Sequence, residues 1–338
     1  MSSKPKLANL ELSLLAPVLS ISYNTFLFLD IDNFWQEIHE QTQLHTLSIQ
    51  YKINALASPD LPNQLALMPN LTRLELGSQM PSLVWKAFGA SISANLLPTL
   101  ETLYFHSGCL SEYAMMSITN MLKKNTTVTS LTINPRALTT VAMKEVRSMI
   151  RKNRHLQYFC LRGLAELRLT DFFRHPTLKT IIVEMPLYND DPSVMEKAGE
   201  NTQLRTLSFR FSSWNTDERP PLPPNLTALS IANSSPYFPT TLFMSIPSLT
   251  QLTRLHISTG YYQDGVPLAD YMTVLPQLVT LQALKLENRR DFPTVEFMEA
   301  LAVIPPLSSV TFSAIPTAVY RHIDLSKPIT VYFENRFK

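Results

Sequence analysis

Leucine and other apolar residues recur along the chain in the pattern Leu-x-x-Leu-x-Leu, with isoleucine, valine or phenylalanine at some of the apolar places. From Leu44 to Leu307 successive copies begin 22 to 29 residues apart, a period near 26 residues. The copies begin at Leu7, Leu44, Leu71, Leu100, Val128, Leu156, Leu178, Leu204, Leu226, Leu252, Leu281 and Leu307. A sustained period of this length indicates that one structural unit is repeated along the chain.

Each copy of the pattern predicts one short β-strand. In the copy that begins at Leu100, the apolar Leu103 and Phe105 alternate with Thr102 and Tyr104. This period of two is typical of a strand with one buried face. The first, fourth and sixth positions of every copy are therefore predicted to face the core. The residues between them, and the seventh position, are predicted to face the other side of the sheet.

The segments between the strands predict helices. After the copy at Val128, the residues Leu138, Ala142, Val146 and Ile150 follow one another at intervals of four. Residues at this spacing form one apolar stripe along a helix. Prolines, of which the chain has 25, recur just before the strands. We expect them to end the connecting segments, because proline and the residue before it disfavour helix.

The two best-preserved repeats end their helices in the same way. The stretch "MLKKN" closes on Asn125, and "MIRKN" closes on Asn153, 28 residues later. We expect each asparagine to adopt the left-handed conformation that often follows a helix C-terminus. The basic residues before each asparagine suit the negative end of the helix dipole.

These features resemble the leucine-rich repeat family over nearly the whole chain. The repeats from Leu100 to Asn153 are similar to the ribonuclease-inhibitor class, and those from Leu178 onward resemble the irregular arrays that follow F-boxes. The resemblance implies an α/β solenoid, a horseshoe with a parallel β-sheet on its concave face and helices and loops on its convex face. The family's asparagine at the ninth place of the motif is absent. We therefore expect a less regular solenoid whose turns need other hydrogen-bond partners.

We predict a single leucine-rich-repeat domain over residues 1–338. Residues 1–43 break the period and are predicted to form atypical N-terminal capping units, with a strand before a short helix that carries Phe34, Trp35 and Ile38. A degenerate docking motif for an adaptor is the alternative interpretation of this segment. Residues 44–312 hold about eleven repeats, and residues 313–338 form a C-terminal cap whose last strand follows Lys327.

Bulk composition sets broad limits on function. A chain of 338 residues with 45% apolar and 17% charged residues can bury one large core or two ordinary ones. Lysine and arginine exceed aspartate and glutamate by only two, which does not favour a nucleic-acid-binding protein. Cys109 and Cys160 lack zinc-ligand spacing and predict reduced thiols in the cytoplasm, with the nucleus as the alternative. No stretch of the sequence is apolar enough to predict a membrane span.

One band of the predicted concave face differs from the small polar residues around it. It comes from strands that are about 5 Å apart in a sheet, and it is rich in the aromatic and arginine residues that dominate binding hot spots. We predict a partner-binding site formed by Tyr104, His106, Tyr158, Cys160, Arg162, Ile182, Glu184 and Arg210. The alternative is that Arg162, Glu184 and Arg210 only pair with one another across neighbouring strands.

The sequence contains no catalytic motif that we recognise. It has no glycine-rich phosphate loop, no G-x-S-x-G nucleophile elbow and no H-E-x-x-H zinc motif. Cys160 and His106 could be drawn as a nucleophile and its base, but their predicted strands put them about 10 Å apart. That distance is too long for direct proton transfer. We therefore predict no catalytic residues, no metal and no cofactor.

These patterns favour a non-catalytic module that binds a protein or peptide on its concave face, as a monomer within a larger complex. The resemblance to F-box arrays implies substrate recognition for a ubiquitin ligase, although the sequence shows no adaptor-binding box. The alternative is a regulator of a small GTPase, because GTPase-activating proteins of nuclear transport are built from ribonuclease-inhibitor-type repeats. Neither nucleic acid nor a membrane is expected as a partner.

The segment "NTDERPPLPPNL", from Asn215 to Leu226, combines prolines with charged residues. It could form a polyproline helix that is offered to an SH3 or WW groove. A long outer loop that replaces a helix is the favoured interpretation.

Overall fold

Every copy of the pattern from Leu44 to Leu307 forms one strand in the computed structural model, as predicted. The structure describes residues 18–21, 35–36, 38–40, 42–49, 60–77, 82–106, 111–134, 139–162, 170–189, 197–214, 219–233, 240–259, 266–287, 295–313 and 330–334. The strands are β1 (Val18–Ile21), β2 (Thr46–Ile49), β3 (Arg73–Leu76), β4 (Thr102–Phe105), β5 (Ser130–Ile133), β6 (Tyr158–Leu161), β7 (Thr180–Asn189), β8 (Thr206–Trp214), β9 (Ala228–Asn233), β10 (Arg254–Ser258), β11 (Ala283–Glu287), β12 (Ser309–Ser313) and β13 (Thr330–Glu334).

Helices connect many of these strands. They are α1 (Leu61–Ala66), α2 (Ser82–Ser93), α3 (Glu112–Leu122), α4 (Thr140–Lys152), α5 (Thr170–Phe173), α6 (Thr240–Phe243), α7 (Leu268–Val274) and α8 (Val295–Ala302). One-turn 3-10 helices occur at Ile246–Ser248 and Leu275–Gln277. The hydroxyls of Ser111 and Thr139 cap α3 and α4, each accepting a backbone N–H at 3.2 Å. Such caps fix where a helix begins.

The chain divides into two compact units, Met1–Ala165 and Glu166–Lys338. In the N-terminal unit the described strands pair in the order β1-β2-β3-β4-β5-β6, and all pairs are parallel. In the C-terminal unit they pair in the order β7-β8-β9-β10-β11-β12-β13, again all parallel. Equivalent positions of successive repeats lie opposite each other, as Leu103 does with Leu74 and Leu131. Within each unit, therefore, each described repeat stacks on the one before it.

The fourth and sixth positions of the pattern line the core, as predicted. Leu103 and Phe105 are fully buried, and the Phe105 ring lies 5.8 Å from the ring of Trp85 on α2. In the C-terminal unit the Phe297 ring on α8 lies 6.4 Å from that of Phe312 on β12. Helices thus pack on one face of each sheet. We call the opposite face, formed by the third, fifth and seventh positions and predicted above to be concave, the open face.

The two ends of the chain show what the pattern found and what it missed. Strand β1 pairs with β2 in the usual register, with Leu19 opposite Leu47. Its first position is Ala16, so a search for large apolar residues did not find it. The copy at Leu7 and the strand expected before the short N-terminal helix lie outside the described residues. The predicted final strand is confirmed as β13, which pairs with β12.

Buried asparagines join each repeat to its predecessor. Asn153 Oδ1 accepts hydrogen bonds from two backbone N–H groups just after it, including that of Leu156, where the next copy begins, at 2.8 Å. Its Nδ2 donates to the carbonyl of Leu122 in the preceding repeat at 2.6 Å. Asn125 repeats this arrangement one repeat earlier, and Asn201 does so in the C-terminal unit. These bonds lie in the turns that lead into the strands, whereas the ninth places of the copies at Val128 and Leu156 lie outside the described residues.

The prediction of left-handed asparagines is wrong. Asn153 ends α4 with φ −65° and ψ 140°, which is an extended conformation. Among the described residues other than glycine, Asn95 alone has a positive φ, of 54°. The extended backbone turns the Asn153 side chain toward the next strand, where it meets the backbone groups that need partners.

A second set of hydrogen bonds runs along the beginnings of the strands. The carbonyl of Thr253 accepts the backbone N–H groups of Gln282 and Ala283 at 2.8 and 2.9 Å. Hydroxyl groups strengthen the same row, because Thr253 Oγ1 donates to the Thr227 carbonyl at 3.0 Å and Ser308 Oγ donates to the Gln282 carbonyl at 3.1 Å. Side chains and backbone together therefore hold successive repeats in register.

The proline-rich segment runs along the outside of the C-terminal unit. Residues 219–226 form neither helix nor strand, and Pro220, Leu222 and Pro223 are buried. Pro221 packs so closely on Gly199 that a Cβ added there would lie 2.7 Å from the Cβ of Pro221. This packing fits an outer loop, since the buried side chains already face their own protein.

Candidate functional site

The N-terminal unit carries the first part of the predicted partner site. Tyr104 lies on β4 and His106 directly after it, and both side chains are half-buried on the open face. Their rings are in contact, with centroids 4.4 Å apart and planes inclined by 55°. The two residues therefore present one joined ring surface.

Strand β6 adds Tyr158 and Cys160, and Arg162 follows directly after it; the three alternate along the open face. Cys160 is only 1% exposed, and Thr132, which lies opposite it on β5, is 7% exposed. Burial raises the pKa of the Tyr158 hydroxyl and Cys160 adds to the rise, while Arg162 and Thr132 act against it. Tyr158 is therefore a neutral phenol at physiological pH, able to donate a hydrogen bond. Cys160 lies beneath the surface, whereas Tyr158 and Arg162 are half-buried at it.

The C-terminal unit carries the other predicted residues, Ile182, Glu184 and Arg210. Ile182 is half-buried, and both charged residues are exposed. The pairing of β7 with β8 is regular up to Val183 and then shifts, so that Pro186 and not Glu184 lies opposite Arg210. Glu184 and Arg210 are thus not directly opposite each other in the backbone register, and the partner-site prediction and its ion-pair alternative both stay predictions.

The predicted residues are grouped by unit. The open face of the N-terminal unit brings together Tyr104, His106, Tyr158, Cys160 and Arg162, and that of the C-terminal unit holds Ile182, Glu184 and Arg210. The backbone of β5 lies between β4 and β6. It separates Cys160 from His106, so direct proton transfer between these two side chains has no support in this geometry.

Sequence reasoning missed a charged cluster that includes His106. Glu75 on β3 accepts hydrogen bonds from Ser48 Oγ at 2.9 Å and Arg73 Nε at 2.8 Å, and its Oε2 lies 3.6 Å from His106 Nε2. Burial acts to raise the pKa of the Glu75 carboxyl, but the hydrogen bonds from Arg73 and Ser48 bring it below its usual value. The fixed carboxylate helps to orient His106 on the open face. Ser48, Glu75 and His106 occupy open-face positions of three successive repeats, which is the signal that could have found them.

A second cluster lies on the open face of the C-terminal unit. Ser230 Oγ is 3.0 Å from His256 Nδ1, and His256 Nε2 is 3.5 Å from Glu287 Oε1. Lys285 Nζ lies 2.9 Å from the same oxygen, and Glu287 is only 5% exposed. Burial acts to raise the pKa of the Glu287 carboxyl, but the hydrogen bonds from His256 and Lys285 lower it to about 2.

The serine, histidine and glutamate of this second cluster follow the order of a proton relay. A hydrolase also needs hydrogen-bond donors that stabilise an oxyanion. Strands β9, β10 and β11 are paired along their lengths, so their backbone N–H groups are committed to the sheet. Lys285 already compensates the charge of Glu287.

The described part of the chain gives no sign of a metal centre or of a membrane-spanning helix. No three or more histidine, cysteine, aspartate or glutamate side chains group there in a way that could hold a metal ion. Within the same residues, every helix is too short or too polar to cross a bilayer. The open-face carboxylates of Glu75 and Glu287 are instead engaged by basic side chains.

We expect Glu287 to make the C-terminal unit less stable in acid. A carboxyl whose pKa is depressed by folding contributes its full stability above its ordinary pKa of 4.5 and loses it as the pH falls toward about 2. The loss across this window is on the order of 2 kcal/mol. Urea unfolding of Glu287→Gln between these two pH values should show a weaker acid dependence than wild type. The exposed Glu299→Gln on α8 is the matched control, and equal profiles for both variants would contradict the expectation.

Comparison with known proteins supports the assignment of the fold. No protein-family model and no curated protein matches the sequence. A chain of the Rad7 and Elc1 complex in yeast is 14% identical, with 89% of this chain and 86% of that chain covered and a TM-score of 0.53. Internalin C2 of Listeria monocytogenes is 15% identical, with 67% and 84% covered and a TM-score of 0.35. The first likeness shows the fold alone. With the repeat period and the parallel strand order, it identifies an α/β leucine-rich-repeat solenoid, as predicted.

Proposed function

We propose that this leucine-rich-repeat protein is a non-catalytic module that binds a partner protein on its open, concave face. The observation that supports this proposal most directly is the grouping of four side chains on the open face of the N-terminal unit, those of Tyr104, His106, Tyr158 and Arg162. Aromatic and arginine side chains supply most of the energy of protein interfaces. A wall of small serine and threonine side chains supplies little by comparison.

The arrangement of these side chains supports the proposal. The rings of Tyr104 and His106 are already in contact, and Glu75 lies beside His106. Side chains that are held before binding lose less conformational freedom when a partner arrives. Each is half-buried, so a partner can cover the remaining surface and remove it from water.

The C-terminal unit contributes different chemistry to the proposal. Glu184 and Arg210 are exposed, and exposed charges in an interface set specificity and association rate more than affinity. Cys160 is buried and so acts as a support beneath Tyr158 and Arg162. All eight predicted residues thus keep a role, seven as contacts and Cys160 as a support.

We further propose that the protein works as a monomer within a larger complex, as the substrate-recognition subunit of a ubiquitin ligase. The support is that a chain of similar fold occurs in a complex, that of Rad7 and Elc1 in yeast. Regulation of a small GTPase is the alternative function. The single-domain organisation, with caps at residues 1–43 and 313–338, also stays a prediction.

The double variant Tyr104→Ala/Arg162→Glu tests the open face. Affinity capture from lysate and mass spectrometry would first identify the main partner, whose binding is then titrated with purified proteins. We expect the variant to bind at least about tenfold more weakly, because it removes one anchor and reverses one charge. The matched control is Tyr113→Ala/Arg174→Glu, which changes an exposed tyrosine on α3 and an exposed arginine away from the open face.

The outcomes separate the hypotheses. Loss of the partner from the open-face variant alone supports recognition on that face, and equal binding by both variants contradicts it. Co-capture of ubiquitin-ligase subunits by both variants would support the role as a substrate-recognition subunit. Stimulation of GTP hydrolysis in the lysate by wild type would instead favour the GTPase regulator.

A further inference from the structure

Helix α4, the turn after it and the turn after α3 form a concentrated basic surface. We define the basic surface as Lys124, Lys144, Arg147, Arg151, Lys152 and Arg154. The single carboxylate of α4, that of Glu145, is bonded by Lys123 Nζ at 2.6 Å. Glu145 is therefore already engaged by a lysine that does not belong to the basic surface.

The basic surface lies on the outside of the N-terminal unit. Helix α4 buries the stripe that contains Ala142, Val146 and Ile150, so its charged residues point away from the core. Lys124, Lys144, Lys152 and Arg154 are all exposed. Because this is the helical side of the unit, the basic surface is separate from the open face proposed above.

Stabilisation of the helix dipole explains only part of this charge. Arg151 and Lys152 lie in the last turn of α4, where a cation is favourable. Lys144 lies two turns earlier, where the dipole effect has faded. Other helices carry acids, as α8 does with Glu296 and Glu299. The concentration of cations is thus a particular property of α4 and its surroundings.

We propose that the basic surface binds an acidic segment of a partner protein. Helix α4 has 13 residues and is about 20 Å long. Over this length duplex DNA presents a phosphate every ~1.7 Å, far more anions than the six cations can match. Residues 139–155 contain no phenylalanine, tyrosine or tryptophan on which single-stranded bases could stack. A few carboxylates suit the site better, because arginine binds them through paired hydrogen bonds.

The test uses a labelled peptide of about twelve residues, half of them glutamate, and fluorescence anisotropy with the full chain at physiological ionic strength, where charges are screened beyond ~8 Å. The variant Lys144→Glu/Lys152→Glu/Arg154→Glu should bind the peptide at least about tenfold more weakly than wild type. The control Lys86→Glu/Arg174→Glu/Arg219→Glu makes the same change in net charge at dispersed exposed sites away from the open face. It should bind within about twofold of wild type, because a local site does not respond to distant screened charges.

Three results would overturn the proposal. They are equal weakening in both triple variants, no binding of the peptide by wild type, and tighter binding of a duplex DNA of equal charge than of the peptide. A neutral variant, Lys144→Gln/Lys152→Gln/Arg154→Gln, controls for misfolding caused by charge reversal. Its affinity for the peptide should lie between those of wild type and the charge-reversed variant. Thermal unfolding of every variant accompanies the titrations. Because the open face is untouched, failure here would leave the concave-face proposal standing.

Discussion

Replacing Asn153 by alanine is expected to lower the free energy of unfolding of the N-terminal unit by roughly 3 kcal/mol. The side chain is 1% exposed and serves both its own repeat and the preceding one. Its loss leaves the N–H groups of His155 and Leu156 and the carbonyl of Leu122 without this partner. A buried polar group that loses its partner costs about 1–3 kcal/mol, and partial relaxation keeps the sum below the three separate penalties.

Asn225→Ala is the matched control for this substitution. Asn225 Nδ2 donates to the carbonyl of Thr202 at 2.9 Å, and this contact is open to water. Water can replace such a bond, so we expect a loss of about 0.5 kcal/mol. Because a chain with two compact units need not unfold in one step, hydrogen exchange of the β5 and β6 amides should accompany urea unfolding. An Asn153 variant no less stable than the Asn225 variant would contradict the role of the buried asparagine.

The strands were predictable because burial alone dictates their pattern. Leu103 and Phe105 must be apolar because they fill the core, and the fourth and sixth positions of the other repeats are apolar for the same reason. The pattern did not predict strand β1, because its first position is the small residue Ala16. The conformation of Asn153 was predicted wrongly for another reason. Its side chain bonds a carbonyl 31 residues away, a contact that no local helix-ending rule contains.

The sequence predicts which face of the sheet each residue of the candidate site lies on, but it does not predict which side chains that residue contacts. Alternation along a strand places Tyr104 and Arg162 on the same face of the sheet. It does not determine which side chains are buried by those of a neighbouring strand. The burial of Cys160 and the bonds to Glu75 depend on packing across strands. The shifted register near Glu184 has a visible source in Pro186, because proline cannot donate to a ladder.

A cysteine cross-link measures whether successive repeats lie side by side in register. In a chain with Cys109→Ser and Cys160→Ser, the substitutions Thr102→Cys and Ser130→Cys place two half-buried thiols opposite each other on β4 and β5. Adjacent strands are about 5 Å apart, so dibromobimane, a small reagent that bridges neighbouring thiols, should join them and become fluorescent. The control pair is Tyr104→Cys with Ser130→Cys, because Tyr104 lies opposite Thr132 and thus about 7 Å along the strand from the position opposite Ser130. In-register stacking predicts bridging in the Thr102 pair alone. Bridging in the Tyr104 pair instead, or in neither, would contradict it.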